Sequence, residues 1–247
     1  NVLAALGNSY TSNSQDAQVT AYSVRNPWAQ VAVNNAGLLL DGWLSKNFVD
    51  AMNGTTFGLF DPRLPRITNL TKFGDYRGTR NGAGRVGNGT SNEESVLKTT
   101  GWYSSTNSPL LIATFSELKF IEAEATLATD KPRSYNAYLA GITANMTKMG
   151  VSTDSINTYI NNSNVSVGAT NLTLKRIMEE KYKAMFLHPS AWVDARRFNY
   201  QYTGFQMPLN AVLATFIRRL DYPSVETTRN GANVPAVASL ADRLWWD

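Results

Sequence analysis

Phe115-Ser116-Glu117-Leu118-Lys119-Phe120-Ile121-Glu122-Ala123-Glu124-Ala125, followed past a break by Tyr135-Asn136-Ala137-Tyr138-Leu139-Ala140-Gly141-Ile142, is the stretch that decides the fold. Phe115, Leu118, Ile121, Ala125 and Ala128 recur at steps of three and four, which marks one face of a helix. Asp130-Lys131-Pro132 interrupts the run. A second helix is predicted from about Pro132 to Met149, with Tyr135, Leu139, Ile142, Met146 and Met149 in line and Gly150 as its stop. Ala123, Ala125, Ala137 and Ala140 are small enough to let the two axes approach closely. The pattern predicts a helical hairpin of the kind that helical-repeat proteins stack.

Working toward the C-terminus, Asp154 is expected to cap a short helix holding Ile156, Tyr159 and Ile160. Asn171 or Thr173 would cap a long one running through His188, with Leu174, Ile177, Met178, Tyr182, Met185 and Phe186 as its apolar positions. Pro189-Ser190 interrupts, and Ala191 to Phe198 resumes for two turns. Phe216 to Pro223 reads as extended, and Leu244-Trp245-Trp246-Asp247 is apolar enough to be expected to dock.

Toward the N-terminus, residues 1–36 read as polar and irregular, with Asn26-Pro27-Trp28 as a turn. A helix is expected over 37–53 from Leu38, Leu39, Trp43, Leu44, Phe48 and Met52, ending at Asn53-Gly54. Asp61-Pro62-Arg63-Leu64-Pro65 reads as non-helical, because a proline restricts the residue before it. Residues 69–107 form a long polar loop, and helix is expected to resume at Ser108 with Pro109 in its first turn. The fold class is therefore mostly α with long irregular loops and little β. Residues 1–247 form a single region: a loop-rich segment with one helix over 1–107, then a helical scaffold and C-terminal segment over 108–247.

Composition narrows the chemistry. The chain has 247 residues, enough to bury a real core. With no Cys there are no disulfides, thiolate metal sites or Cys nucleophiles, and the single His188 cannot build a His-rich metal site. No metal and no cofactor are expected. The net charge of +4 is mild and the basic residues are scattered, which argues against nucleic acid. No apolar run reaches the ~18 residues needed to span a bilayer. Charged residues are only 17%, and 24 Asn and 24 Thr take their place. Such a surface suits a secreted or cell-surface protein, and also one that meets neutral ligands such as sugars.

The motifs are mostly architectural. Gly82-Ala83-Gly84-Arg85-Val86-Gly87 matches a dinucleotide fingerprint by letter, but no strand precedes it and no helix follows, so it reads as loop. Glu122 and Glu124 diverge on a helix, as do Glu179 and Glu180, so neither pair offers the two converging acids of a glycosidase. His188 reads as a complement to a helix C-terminus rather than a general base. Met146, Met149, Met178 and Met185 read as core. In Trp192-Val193-Asp194-Ala195-Arg196-Arg197, Trp192 is expected to bury against the preceding helix, and Asp194 to pair with Arg197 or Arg196 as a clamp. Trp28, Tyr76, Trp102 and Tyr103 are the ligand candidates. They lie in or beside polar segments, where a flat ring can stack on the C–H face of a pyranose. The alternative is that each plugs the core at a loop anchor.

In order along the chain, Asn26-Pro27, Phe48-Val49-Asp50-Ala51-Met52 with Asp61-Pro62-Arg63-Leu64-Pro65, the Phe115–Ala125 run, Tyr138 to Val151, Ile177 to Phe186 with Trp192 to Phe198, and Arg218 to Pro223 closing on Trp245-Trp246-Asp247 resemble the SusD/RagB family, close to its SusD-like branches. The resemblance covers the C-terminal half of a family member. It implies tetratricopeptide-like hairpins, with the N-terminal part and its lipoprotein Cys outside this sequence. It also implies a non-catalytic protein on the outward-facing surface of the outer membrane, held by a lipid anchor absent from this chain. Such a protein binds glycan, or in some cases peptide, and lids a SusC-like TonB-dependent transporter. A purely structural partner of that transporter and a hydrolase remain as alternatives.

Overall fold

The structure is a computed structural model, and it describes residues 2–36, 42–84 and 92–245. Within these, ten α-helices and one two-stranded sheet follow in order: α1 (Val2–Leu6), β1 (Ala17–Val19), α2 (Pro27–Ala36), α3 (Lys46–Met52), α4 (Leu64–Ile67), β2 (Leu110–Ala113), α5 (Phe115–Thr126), α6 (Lys131–Lys148), α7 (Thr153–Ile160), α8 (Leu174–Ala184), α9 (Ser190–Arg197) and α10 (Ser224–Arg229). The protein is mostly helical.

The α5–α6 hairpin is the scaffold. Thr114 caps α5 by accepting the Glu117 N–H at 3.0 Å, and Asp130 caps α6 by accepting the Arg133 N–H at 3.0 Å. The buried stripe of α5 is Ser116, Phe120, Ala123 and Thr126, not the Phe115–Leu118–Ile121–Ala125 face expected from apolar spacing. The reason lies in two serines. Ser116 donates to the Gly141 carbonyl at 2.8 Å and Ser134 to the Ala123 carbonyl at 2.6 Å. Hydroxyls hydrogen-bonded across the hairpin can occupy core positions because those bonds offset the cost of desolvation. Gly141 sets the approach of the axes, because a Cβ there would meet the Phe120 ring at 3.0–3.2 Å. Phe120, Tyr138, Ile142, Met146, Ile156, Tyr159 and Ile177 form the core shared by α5, α6, α7 and α8.

Several local expectations are corrected. Residues 1–36 are not irregular: they hold α1, β1 and α2. Asn26 is an N-cap rather than a turn residue, accepting the Trp28 N–H at 2.6 Å, and Pro27 takes the first helical position. Among its described residues the 1–107 segment thus carries four α-helices, not one. The helix expected over 37–53 reduces to Lys46–Met52; residues 37–41 lie outside the described residues. Leu64-Pro65 begins α4, since a proline is tolerated in a first turn. Leu110–Ala113 is a strand, not helix. It pairs antiparallel with β1, with Gln18 opposite Leu111 and Val19 opposite Leu110. Its partner lies some 90 residues away in the chain, which local pattern cannot reveal. Ser152, not Asp154, caps α7, and Thr173 caps α8. Helix α8 ends at Ala184, because Leu187 takes a left-handed backbone (φ 60°) before Pro189. The Phe216–Pro223 segment, expected to be extended, lies in neither helix nor strand. Trp245 is 90% exposed, while Trp246 and Asp247 lie outside the described residues.

A buried ionic cluster joins the two parts of the chain. Arg63 is fully buried; it donates to both Asp61 oxygens (2.9 and 2.6 Å), to Glu180 at 2.9 Å and to Asn145 at 3.0 Å. Glu180 also accepts from Tyr159 at 2.9 Å and from Lys183 at 2.5 Å. The Asp61-Pro62-Arg63 turn is thereby fixed against α6, α7 and α8. Every charge in the cluster has an opposite charge in contact, which is what keeps buried ions tolerable.

Candidate functional site

The long segment 69–107 is stitched down at both ends. Thr79 N–H donates to the Leu44 carbonyl (2.8 Å), Leu44 N–H to the Ser95 carbonyl (3.0 Å) and Ser95 N–H to the Arg77 carbonyl (2.7 Å). Trp102 N–H donates to the Arg66 carbonyl at 2.7 Å. In Gly82-Ala83-Gly84-Arg85-Val86-Gly87, Gly82 and Gly84 adopt positive φ, as loop glycines do; residues 85–87 lie outside the described residues.

This stitching places the four candidate aromatics around one core cluster. Phe48, Met52, Leu64, Ile67, Leu97 and Tyr103 fill it, and Trp28, Tyr76 and Trp102 pack half-buried on its rim. Tyr103 is 3% exposed, so its ring anchors the loop and is closed to stacking. Burial lifts its hydroxyl to about 12, and the ring meets Phe186 edge-on at 5.3 Å. Trp102 meets Tyr103 edge-on at 4.7 Å. Trp28 is fixed differently. Asn26 receives its N–H, and the Asn26 amide donates to the Ser108 carbonyl at 2.8 Å, tying α2 to the end of the loop.

Two surfaces result. Beside Trp28 lies an aromatic slot of ≈ 340 Å³, lined by Trp43, Phe48, Tyr182 and Phe186, with Phe48 stacked on Phe186 at 4.3 Å. On the other side of the rim, Tyr76 sits 5.8 Å from Phe60, which is 44% exposed. Asn53 steadies that loop by donating to the Tyr76 carbonyl at 3.0 Å. Next to it Phe73 is 54% exposed beneath the Arg77 guanidinium, 4.1 Å from its centroid. Arg77 and then Thr71 hydrogen-bond Asp75 and hold its carboxyl at about 2. This face mixes open aromatic rings with fixed polar groups. Phe60, Phe73 and Trp43 were missed by sequence reasoning. Phe60 carried a usable signal, an aromatic residue directly before the Asp61-Pro62 turn.

The acidic residues are engaged elsewhere. Glu122 accepts from Lys119 (2.8 Å) and Arg133 (2.7 Å), and Glu124 from Arg197 (2.7 Å). Asp194 contacts Lys181 (2.7 Å) and Arg197 (2.8 Å), while Arg196 instead donates to the Arg218 carbonyl (2.9 Å). These contacts clamp α9 to α5 and α8. Trp192 is only half-buried: it stacks on Arg196 (4.5 Å) and donates to the Tyr200 hydroxyl (2.9 Å), rather than entering the core as expected. His188 reaches beyond the end of α8. Its Nδ1 accepts the Ser190 N–H at 3.2 Å and Nε2 meets the Ile112 carbonyl at 3.0 Å, so the ring links α9 to β2. Among the described residues no three His, Asp or Glu side chains are grouped to hold a metal ion, and no helix is long and apolar enough to cross a membrane.

Residues 1–232 match the family described as SusD-like, starch-binding associating with outer membrane. The chain belongs to the SusD-like family. Solved structures agree on the fold. A SusD homologue from Bacteroides vulgatus superposes with a TM-score of 0.70 at 19% identity, covering 96% of this chain and 54% of its own. SusD homologues from Bacteroides uniformis and Bacteroides fragilis follow with TM-scores of 0.67 and 0.65 at 18% identity, covering 95% and 90% of this chain and 56% and 54% of theirs. The SusD-like chain therefore spans about half the length of these homologues. A search of the curated proteins found no match.

Proposed function

We propose that this SusD-like chain captures nutrient glycan at the outward-facing surface of the outer membrane without transforming it. In this reading it belongs to a lipid-anchored protein that delivers the glycan to a SusC-like TonB-dependent transporter. The observation that carries the reading is the match of residues 1–232 to a family described as starch-binding and outer-membrane associated. The rim supports it physically. Tyr76, Trp102 and Trp28 offer half-open rings beside polar loop groups, the combination a pyranose needs for one apolar face and a ring of hydroxyls. Tyr103 supports that rim from beneath.

Titration calorimetry with maltoheptaose and soluble xylan, mannan and pectin fragments tests this. Saturable binding weakened by Tyr76→Ala or Trp102→Ala, with folding intact, is the expected result. A flat titration with every fragment would remove the reading. A peptide cargo is the second reading, and one observation favours it: the slot beside Trp28 is walled by Trp43, Phe48, Tyr182 and Phe186, which suits an apolar side chain better than a hydroxyl-rich ring.

A further inference from the structure

Many of the cations that the fold draws inward meet a carboxylate. Arg63, Lys181 and Lys183 pair with Asp61, Asp194 and Glu180, and Lys119 and Lys148 with Glu122 and Asp16. Arg66 and Lys98, at the foot of the aromatic rim, meet carbonyls instead. Arg66 Nε donates to the Met149 carbonyl at 2.9 Å, and Lys98 Nζ to the Pro65 carbonyl at 2.5 Å. Both carbonyls belong to helix ends, Pro65 in α4 and Met149 at the C-cap of α6, and one donor from each cation serves them. Among the described residues no acidic side chain contacts either cation, and the Nη groups of Arg66 keep their donors free.

The two cations and Trp102 are brought together by one turn. Gly101 N–H donates to the Lys98 carbonyl (2.9 Å), Lys98 N–H to the Ile67 carbonyl (3.2 Å) and Trp102 N–H to the Arg66 carbonyl (2.7 Å), which lays residues 98–102 on the end of α4. A Cβ at Gly101 would meet the Lys98 and Ile67 carbonyls at 2.9 and 3.1 Å, so the close approach needs glycine. Thr99 and Thr100, between the cation and the ring, are exposed. Burial first and the Arg66 charge second push the Lys98 ammonium below its ordinary value of 10.5. Two like charges without a counter-charge raise each other's energy, and an anion shared by both removes that cost.

We propose that Arg66 and Lys98 hold a carboxylate of the cargo, with Trp102 stacking on the sugar that bears it. The captured glycan is then an acidic one built with uronate residues, an assignment that rests on the glycan reading above. A guanidinium offers a planar fork and an ammonium a point charge, so one carboxylate can engage both. The Thr99 and Thr100 hydroxyls supply partners for the sugar hydroxyls, which favours a uronate over the carboxylate of a peptide.

Calorimetry on the whole chain with oligogalacturonate, its neutral methyl ester, maltoheptaose and oligoglutamate tests the assignment, with a thermal midpoint recorded for each variant. The acid is expected to bind about tenfold more tightly than its ester, the scale of one hydrogen bond between charged groups, and to lose that advantage in added salt. Arg66→Gln and Lys98→Gln should each bring the acid to the level of the ester and leave the ester unchanged, while Lys98→Arg keeps the preference. Arg66 is exposed, so Arg66→Gln carries the test should Lys98→Gln fail to fold. An acid that binds no better than its ester, or a preference that survives both glutamine variants, would overturn the carboxylate subsite and leave the glycan reading standing. Binding of oligoglutamate alone, or of none of the probes, would overturn both.

Discussion

Arg63 shows how one side chain holds a fold. Its guanidinium is fully buried and serves Asp61, Glu180 and Asn145 together. Removing one member of such a set strands the other charges, at a cost of about 3–5 kcal/mol. Arg63→Met is predicted to lower stability by that amount in urea unfolding; a loss below about 1 kcal/mol would contradict the clamp. The same cluster sets an acid dependence. Burial alone would raise the carboxyls of Asp61 and Glu180, but Arg63 and Lys183 outweigh it and hold both below their ordinary values of 3.8 and 4.5. Groups depressed in the folded state stabilise above their unfolded values and lose that contribution as pH falls through the folded ones. Unfolding free energy measured against pH should therefore keep the cluster's contribution above 4.5 and lose it progressively below 3.8, with a shallower acid limb in Asp61→Asn. At Trp192 the expectation shifts with its half-burial. Full burial would imply a loss of ~3–5 kcal/mol on truncation, whereas stacking on Arg196 plus one hydrogen bond implies about 1–2 kcal/mol for Trp192→Ala.

At the scale of elements, the α5–α6 hairpin was legible and its phase was not. The Asp130-Lys131-Pro132 break and the Gly150 stop located α6 within a residue, whereas α5 begins at Phe115 and not at Ser108. The apolar spacing then chose a face that Ser116 and Ser134 overrule, because hydroxyls satisfied by carbonyls across the hairpin behave as core residues. Gly141 is where that packing is tightest. Alanine there gains about 1 kcal/mol of helix propensity but drives a methyl onto the Phe120 ring at 3.0–3.2 Å, and overpacking costs about 1–3 kcal/mol. Phe120 is fully buried and has nowhere to move, so Gly141→Ala is predicted to lower the thermal midpoint by a few degrees. An unchanged or raised midpoint would show that the ring can yield. β1 and β2 escaped sequence reading for a different reason. Three- and four-residue strands carry almost no period, and each exists only through a partner remote in the chain. Local rules offered Asn171 or Thr173 as the cap and the structure selects Thr173; Thr173→Ala should cost about 1 kcal/mol.

Across the whole molecule, the ordered motifs identified the family because they are architectural: Asp61-Pro62-Arg63 and Glu180 form the buried cluster, and Asp194 and Arg197 tie α9 to its neighbours. The site was less legible, because ring accessibility depends on how the 69–107 segment is stitched down, not on which residues it contains. Trp28, Tyr76, Trp102 and Tyr103 do gather on one cluster, yet Tyr103 turns inward while Phe60, outside the expected set, opens outward. The central claim is capture without chemistry. Calorimetry of the purified chain against the glycan panel, followed by a reducing-end assay on the same samples, addresses it most directly. The account predicts saturable heat from at least one glycan and no new reducing ends after prolonged incubation. Release of reducing ends, abolished by substituting a single carboxylate, would contradict it.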